Sequence, residues 1–186
     1  CFWPDQYNNS ANPASHCDGT MREILDDLGT PPDALFVATS TCGTLRGCLN
    51  TLRAEGASTR VWAVDAMGSR IFGARPHPRN IPGLGSAVRS RFAPSKAEVD
   101  VLHVDTVDSV MACRRLAAHE GILAGGSSGA VIHAIEHMAD ALPDGGVCVG
   151  ILPDRGDRYV DTVYSDDWLP GRISDPSGDR REIRAG

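Results

Sequence analysis

Three observations predict a three-layer α/β/α domain built on a parallel sheet. Short all-apolar runs, typical of buried parallel strands, alternate with stretches of helical periodicity. Turns rich in Gly, Ser and Thr separate the two kinds of segment. The 186 residues, of which 41% are hydrophobic, are enough for one domain with a core. This alternation indicates β-α-β units whose sheet is covered on both faces.

The strands are expected at four apolar runs. They are residues 34–38 (ALFVA), 61–66 (VWAVDA), 99–104 (VDVLHV) and 146–153 (GVCVGILP). A short fifth strand is expected at the start of the stretch 121–142. Four Pro and several Gly and Arg make residues 67–95 the least regular part, and we expect a functional loop there with a short helix or two.

The helices are expected where apolar residues recur at i, i+3 and i+4. The first expected helix is 18–28, with Asp18 or Thr20 as the N-cap. The second has an apolar face formed by Leu45, Cys48, Leu49 and Leu52. The others are expected at 106–119, within 121–142 and beginning at 154–164. Residues 1–16 are rich in Asn, Pro and Ser, and we expect them to be irregular.

Composition excludes several classes of partner. The net charge is −6 and no Lys/Arg run occurs, which argues against a nucleic-acid or anionic-membrane partner. No run of about 18 apolar residues occurs, so no membrane span is expected. Residues 1–20 lack the basic start and apolar run of a signal peptide, and a cytoplasmic protein is expected. The six cysteines form no C-x-x-C pair, which favours free thiols over a zinc site; no metal is predicted.

The first candidate site is the strand-to-helix turn Ser40, Thr41, Cys42, Gly43 and Thr44, called here the 40–44 turn. Small residues allow close approach of a ligand, and the N–H groups of the following helix favour an anion such as phosphate. The turn is neither a Walker loop nor a G-x-G-x-x-G sequence, so a dinucleotide is poorly supported. An ordinary turn capped by Ser or Thr remains the alternative.

The second candidate site is the turn Gly125-Gly126-Ser127-Ser128-Gly129-Ala130, called here the 125–130 turn. Its serines offer hydroxyls to a neutral ligand group, although simple N-capping by Ser127 or Ser128 explains them equally. Both turns follow expected strands. Because open α/β sheets bind ligands at the carboxyl ends of their strands, the two turns are expected to share one crevice.

The other candidates are weaker. His133 and His137 have a metal-like spacing but no accompanying carboxylate motif, and Asp65 can accept a hydrogen bond at the end of its strand. The 70–91 loop carries five arginines suited to carboxylate or phosphate recognition: Arg70, Arg75, Arg79, Arg89 and Arg91. Lys96 is the single lysine, and its polar surroundings indicate a solvated surface residue.

Five motifs then resemble one family. They are Tyr7-Asn8-Asn9-Ser10-Ala11-Asn12-Pro13, the 40–44 turn, Ile81-Pro82-Gly83-Leu84-Gly85, the 125–130 turn and Pro153-Asp154-Arg155-Gly156-Asp157-Arg158-Tyr159. Their order and spacing over residues 5–164 are similar to those of the cysteine synthase and cystathionine β-synthase family, which are pyridoxal-phosphate enzymes of the tryptophan-synthase-β fold type.

The resemblance implies roles for single residues. Ser40, Thr41, Cys42, Gly43 and Thr44 would hold the phosphate of pyridoxal phosphate. Ser127 would hydrogen-bond the pyridine nitrogen, which a serine leaves largely unprotonated, so the ring suits β-elimination. Tyr7 and an arginine of the 70–91 loop would bind the phosphate or carboxylate of the substrate, and Gly83 and Gly85 would line the entrance for the second substrate. Cys42 stands where cysteine synthases commonly have glycine.

The resemblance also implies an activity. Within the family, the sequence is most similar to members that join O-phospho-L-serine to L-glutamate for 2,3-diaminopropionate synthesis, on routes to siderophores or peptide antibiotics. A cysteine synthase that uses sulfide, a non-catalytic phosphate-binding module and an unrelated nucleotide-binding domain remain alternatives. The substrates would be small amino acids, and a homodimer is usual in the family.

The family's catalytic lysine has no counterpart in this chain. Residues 1–16 would therefore continue from a missing N-terminal domain, which carries the lysine, residues 17–164 would form the cofactor-binding domain, and residues 165–186 a polar tail. We expect the chain by itself to be inactive, since Lys96 is a poor substitute.

Overall fold

The computed structural model describes residues 1–75 and 77–169. Its sheet is parallel, with strands β1 (Ala34–Ala38), β2 (Arg60–Ala66), β3 (Asp100–Val104) and β4 (Cys148–Ile151) in the order β3-β2-β1-β4. Val37 of β1 lies opposite Ile151 of β4, so these two strands end side by side. All four carboxyl ends meet at one edge of the sheet.

Two helices precede β1, one lies between β1 and β2, and two lie between β3 and β4. They are α1 (Ala11–Ser15), α2 (Arg22–Leu28), α3 (Gly43–Ala54), α4 (Thr106–Glu120) and α5 (Gly126–Met138), and a π-helical turn, His16–Met21, joins α1 to α2. Asp105 caps α4, its carboxylate accepting a hydrogen bond from the Val107 amide at 2.8 Å.

Each face of the sheet has its own core, because successive strand side chains point to opposite faces. Leu35 and Val37 of β1 pack with Leu45 of α3 on one face. Phe36 packs with α5 on the other face, where its ring stacks on Trp62 at 4.6 Å. Helix α4 then covers α5. The expected three-layer α/β/α architecture is confirmed.

The first helix begins earlier than the sequence analysis expects. Residues 11–16, expected to be irregular, are helical, and neither Asp18 nor Thr20 is an N-cap, since the helix runs without a break from Ala11 to Leu28. Pro13 is tolerated because it lies in the first turn, where a helix needs no N–H donor. The Asn9 side chain accepts a hydrogen bond from the Ala11 amide at 3.0 Å and satisfies one of the free donors there.

Three further expectations are wrong. The strand expected before the 125–130 turn is a single bridge between Ala124 and Arg155. The helix expected at 154–164 is only the 3-10 turn Gly156–Tyr159, because the Gly156 amide bonds the Leu123 carbonyl at 2.9 Å instead of continuing a helix. No helix occurs in residues 67–75 or 77–95, which form turns and bends in which several glycines have positive φ.

Three observations concern membrane-spanning helices, the cysteines and the tail. None of the helices within the described ranges is long and apolar enough to cross a membrane. All six cysteines are free, and burial raises the pKa of the Cys48 thiol to about 12. Most of the expected polar tail, residues 170–186, lies outside the described residues.

Candidate functional site

The carboxyl end of β1 is held by backbone contacts on two sides. The buried Thr39 donates its hydroxyl to the Val64 carbonyl at 3.1 Å, and its own carbonyl accepts from the Gly85 amide at 2.7 Å. The chain then turns into α3 at Cys42, which adopts a left-handed conformation with φ 62°. The 40–44 turn is therefore fixed in place between β1 and α3.

The 40–44 turn has unused hydrogen-bond donors. Within residues 1–75 and 77–169, none of its five backbone N–H groups donates to a backbone or side-chain acceptor. They lie at and before the first turn of α3, a helix of 12 residues whose dipole adds positive potential at this end. Consecutive free amides at a helix N-terminus form a cup for an anion, and a phosphate group fits this donor set.

Residues of the N-terminal segment form one wall of this cup. The Asn12 side chain donates to Thr41 Oγ1 at 3.2 Å and to the Gln6 carbonyl at 2.7 Å. A Cβ at Gly43 would lie 1.9 Å from Asn12 Oδ1, so only glycine leaves space for Asn12 there. The sequence analysis missed this contact, because the residues are far apart in the chain.

A second wall carries three linked polar side chains. The hydroxyl of Thr44 lies 3.1 Å from His16 Nε2, and His16 Nδ1 lies 2.9 Å from Thr20 Oγ1. Burial lowers the pKa of His16 below its usual value, which favours the neutral ring. These side chains line a cavity of about 230 Å³ with residues at the ends of β1 and β4: His16, Thr20, Val37, Ala38, Thr44, Ile151, Leu152 and Pro153.

The 125–130 turn lies beside the end of β4. The Gly125 amide donates to the Asp154 carbonyl at 3.1 Å, and a Cβ at Gly125 would lie 1.9 Å from Asp154 Oδ1. The carboxylate of Asp154 is held by the Tyr159 hydroxyl at 2.6 Å. Gly125 therefore allows the start of α5 to contact directly the segment that follows β4.

The two serines of the 125–130 turn differ in their surroundings. Ser127 keeps 5% of its surface exposed, and its hydroxyl makes no hydrogen bond to another described residue. Ser128 is fully buried, and its Oγ is an unpaired polar atom. Neither hydroxyl caps α5, which has no side-chain cap. N-capping thus fails to explain these serines, and Ser127 retains a free donor.

Both turns lie at the same edge of the sheet, next to neighbouring strands. The 40–44 turn follows β1, and the 125–130 turn contacts the chain after β4. Ser127 is not among the residues that line the cavity at Thr44. The fold therefore brings the two turns to one edge while leaving Ser127 outside that cavity.

The predicted substrate residues gather around Ser86. The Tyr7 hydroxyl lies 3.2 Å from Ser86 Oγ, and Ser86 follows Gly85 directly. Gly85 has φ 74°, and a Cβ there would lie 2.9 Å from the Ala66 side chain, so the position needs glycine. Gly83 also has a positive φ, 75°, but faces open space. Tyr7 and Gly85 thus lie together, and Ser86 is a polar neighbour that the sequence analysis missed.

A buried carboxylate lies beneath the site. Asp65 is fully buried, accepts a hydrogen bond from the Ala66 amide at 2.9 Å, and has its second oxygen 4.0 Å from His103 Nε2. Burial raises the pKa of Asp65. Burial and the nearby Asp65 charge also raise the pKa of the Cys42 thiol to about 12, so this thiol stays protonated and contributes no nucleophile.

The remaining candidates have structural contacts. Arg89 donates to the Ile71 carbonyl at 2.6 Å and Arg91 to the Asn8 carbonyl at 3.2 Å, so both hold loops. The rings of His133 and His137 stack at 6.1 Å, and no group of three metal-ligating side chains occurs in the described parts of the chain. Lys96 is exposed beside Arg60 and Asp100, which begin β2 and β3, at the edge opposite the two turns.

Known proteins are similar to this chain in sequence and in fold. The family described as "Pyridoxal-phosphate dependent enzyme" matches residues 1–154. N-(2-amino-2-carboxyethyl)-L-glutamate synthase of Ralstonia nicotianae is 46% identical over 167 residues, which are 90% of this chain and 49% of that protein.

Solved structures agree with this match. O-ureido-L-serine synthase superposes with a TM-score of 0.78 and is 33% identical, over 89% of this chain and 56% of that one. The O-acetylserine dependent cystathionine beta-synthase from Helicobacter pylori superposes with a TM-score of 0.80 at 30% identity, over 87% of this chain and 53% of that one. The chain thus spans about half the length of these relatives.

The family match agrees with the geometry. Free amides at a helix N-terminus suit a phosphate-bearing cofactor, and the five motifs of the sequence analysis lie at one end of the expected fold. The expected cofactor and the resemblance are confirmed, and an unrelated nucleotide-binding domain is excluded. The chain belongs to the family of pyridoxal-phosphate dependent enzymes.

Proposed function

We propose that this chain is the cofactor-binding part of a β-replacement enzyme that joins O-phospho-L-serine and L-glutamate to give N-(2-amino-2-carboxyethyl)-L-glutamate. The 46% identical relative with that product in its name supports the choice of substrates. The single observation that carries the chemistry is the row of free amides in the 40–44 turn, at the edge of the sheet where the 125–130 turn also lies.

The proposal assigns the cofactor to the two turns. The amides of Ser40, Thr41, Cys42, Gly43 and Thr44, with the Thr44 hydroxyl, hold the phosphate, because an anion there satisfies donors that otherwise lack acceptors. The free Ser127 hydroxyl donates to the ring nitrogen, which remains uncharged. When bound, pyridoxal phosphate supplies an electron sink that lets an amino acid lose the substituent on its β-carbon.

The proposal assigns the substrates to the residues around Ser86. The Tyr7 hydroxyl and Ser86 Oγ, 3.2 Å apart, share one hydrogen bond, so one of their two hydroxyl hydrogens is left to donate to the phosphate or carboxylate of the first substrate. Gly83 faces open space, which keeps an entrance open for the second substrate, and Gly85 lines that entrance with its backbone while it packs against Ala66. An arginine of the 70–91 loop adds positive charge; Arg79, 3.3 Å from a Cβ placed at Gly85, is the candidate nearest this entrance.

The covalent lysine must come from polypeptide outside this sequence. Lys96 lies at the opposite edge of a sheet whose strands are about 17 Å long, too far to reach a cofactor between the two turns. We therefore propose that residues 1–16 continue from the section matching the other half of the relatives, that residues 17–164 form the cofactor domain, and that the complete protein is a cytoplasmic homodimer. This chain joined with that section is called here the assembled enzyme.

An assay of the assembled enzyme tests the proposal. O-phospho-L-serine and L-glutamate should yield the coupled amino acid and one equivalent of inorganic phosphate. Production of cysteine from sulfide, without reaction of glutamate, would instead identify a cysteine synthase. Absence of both reactions, with cofactor still bound, would identify a non-catalytic module.

A pair of serine variants tests the site. Ser127→Ala removes one hydrogen bond to the cofactor, so its affinity for pyridoxal phosphate should fall by about 5–30-fold. Ser58→Ala is the matched control, because Ser58 is exposed next to the start of β2 at the opposite edge. Equal affinities for the two variants would contradict the assignment of Ser127.

A further inference from the structure

We infer that His16 is a positioning residue that directs the hydroxyl hydrogen of Thr44 toward the bound phosphate, with Thr20 donating to the other nitrogen of its ring. The inference rests on the proposed function, because it assumes that Thr44 contacts the cofactor phosphate. It concerns three side chains that form one continuous hydrogen-bonded row.

Both ring nitrogens of His16 lie within hydrogen-bond distance of a threonine hydroxyl. His16 Nε2 lies 3.1 Å from Thr44 Oγ1, and His16 Nδ1 lies 2.9 Å from Thr20 Oγ1. All three side chains line the cavity at the ends of β1 and β4. Thr20 lies four residues after His16, so the helical turn that carries both aligns them on one side.

Close packing keeps His16 at this position. Gly47 of α3 faces it, and a Cβ at Gly47 would lie 2.6 Å from His16 Cβ and 2.6 Å from the Pro13 carbonyl oxygen. The backbone of the His16 turn therefore contacts α3 directly. Thr44, one turn earlier on α3, is then within hydrogen-bond reach of the imidazole.

The number of protons limits the row to two arrangements. A neutral imidazole carries one N–H and has one acceptor nitrogen. If Nδ1 carries the hydrogen, it donates to Thr20, and Nε2 accepts the hydroxyl hydrogen of Thr44. If Nε2 carries the hydrogen, it donates to Thr44 Oγ1, and Nδ1 accepts the hydroxyl hydrogen of Thr20.

Only the second arrangement suits an anion. In the first, the single hydrogen of Thr44 is used by His16, and the oxygen would present lone pairs to a phosphate. In the second, Thr44 accepts from His16, so its own hydrogen is free to donate to the phosphate oxygen. A hydroxyl that accepts one hydrogen bond is also polarised toward donating another.

The tautomer of His16 tests the inference without any cofactor reaction. Two-dimensional 15N NMR of the assembled enzyme labelled at histidine distinguishes the two tautomers, and the signal absent from His16→Gln identifies His16 among the six histidines. We expect the Nε2–H form after addition of inorganic phosphate, because only that form leaves the hydroxyl hydrogen of Thr44 free for an anion. The Nδ1–H form in the presence of phosphate would overturn the inference.

Variants at Thr20 test the consequence for binding. Thr20→Val removes the donor to Nδ1 with little change in volume, so affinity for pyridoxal phosphate should fall by about 5–10-fold. Affinity for pyridoxal, which lacks the phosphate, should stay unchanged. Thr20→Ser keeps a hydroxyl, so the ratio of its affinities for pyridoxal phosphate and pyridoxal should return to the wild-type value.

The outcomes separate this inference from the proposed function. If Thr20→Val lost affinity equally for pyridoxal and pyridoxal phosphate, or lost affinity for neither, the proposed role of the hydrogen-bonded row Thr20, His16 and Thr44 would be overturned. If the wild-type assembled enzyme bound pyridoxal phosphate but made neither product, the proposed reaction would fail while the inference stood. The tautomer measurement decides on His16 even when no cofactor binds.

Discussion

Gly47→Ala tests the packing that brings the N-terminal segment onto α3. The added Cβ would lie 2.6 Å from His16 Cβ, 2.6 Å from the Pro13 carbonyl oxygen and 3.0 Å from the Cys17 amide nitrogen. Two of these three neighbours are backbone atoms, which cannot move by simple side-chain rotation. The segment 13–17 must therefore shift away from α3, and the contacts of His16 shift with it.

The expected size of the effect follows from two opposing contributions. Overpacking of a tight contact costs about 1–3 kcal/mol. Replacing glycine by alanine within a helix returns about 1 kcal/mol. We expect a net loss of up to about 2 kcal/mol in the free energy of unfolding, or a decrease of up to about 8 °C in Tm for a domain of this size.

Gly19→Ala is the matched control. Gly19 lies in the helical turn before α2, and a Cβ there would meet only Glu23 Oε1, at 3.9 Å. The same substitution should therefore stabilise the protein by about 0.5–1 kcal/mol through backbone entropy alone. Urea unfolding followed by circular dichroism measures both variants. If Gly47→Ala were as stable as Gly19→Ala, the close contact between α3 and His16 would be refuted.

Three further substitutions test single side chains. Tyr159→Phe removes the donor that holds the half-buried carboxylate of Asp154, and urea unfolding should show a loss of about 1–3 kcal/mol; an unchanged midpoint would contradict this. The hydrogen bond from Arg46 holds the pKa of Glu98 low, so Glu98→Gln should cost about 1 kcal/mol at neutral pH. Because the folded pKa is lowered, the difference from wild type should shrink as the pH falls below about 4.5, and a constant difference would refute the pairing. Burial raises the pKa of Asp65, so wild-type stability should fall as the pH rises from about 4 through the raised value, and Asp65→Asn should remove that fall in a series of thermal melts; an identical pH profile would contradict it.

The strands were predictable because their signal is local. β1 occupies the predicted residues 34–38, and an unbroken apolar run of this length is typical of a strand buried on both faces of a sheet. Helix α3 was predicted from the same kind of evidence, since all four residues of its predicted apolar face are buried. Local patterns therefore decide the elements that form the core.

The start of the first helix was not predictable from such patterns. Residues 11–15 are polar or small and include a proline, so they have no helical periodicity of apolar side chains. Their helix is stabilised by contact with α3, at Gly43 and Gly47. That contact depends on packing between distant parts of the chain, which a single sequence does not reveal.

Some residues of the candidate site were predictable from local patterns, and others depend on contacts between distant parts of the chain. The two glycine- and serine-containing turns were found because small residues after a strand are a local signal. Asn12 and His16 were missed as site residues because each matters only through a neighbour on the 40–44 turn. The spacing of His16 and Thr20, four residues apart, is the one signal that could have indicated their contact, and it is common in helices.

The position of pyridoxal phosphate in a crystal structure of the assembled enzyme tests the central claim most directly. The account predicts phosphate oxygens within about 3.2 Å of the amide nitrogens of the 40–44 turn and of Thr44 Oγ1, with the ring nitrogen at the same distance from Ser127 Oγ. A cofactor phosphate bound elsewhere, or a Ser127 hydroxyl turned away from the ring, would contradict it.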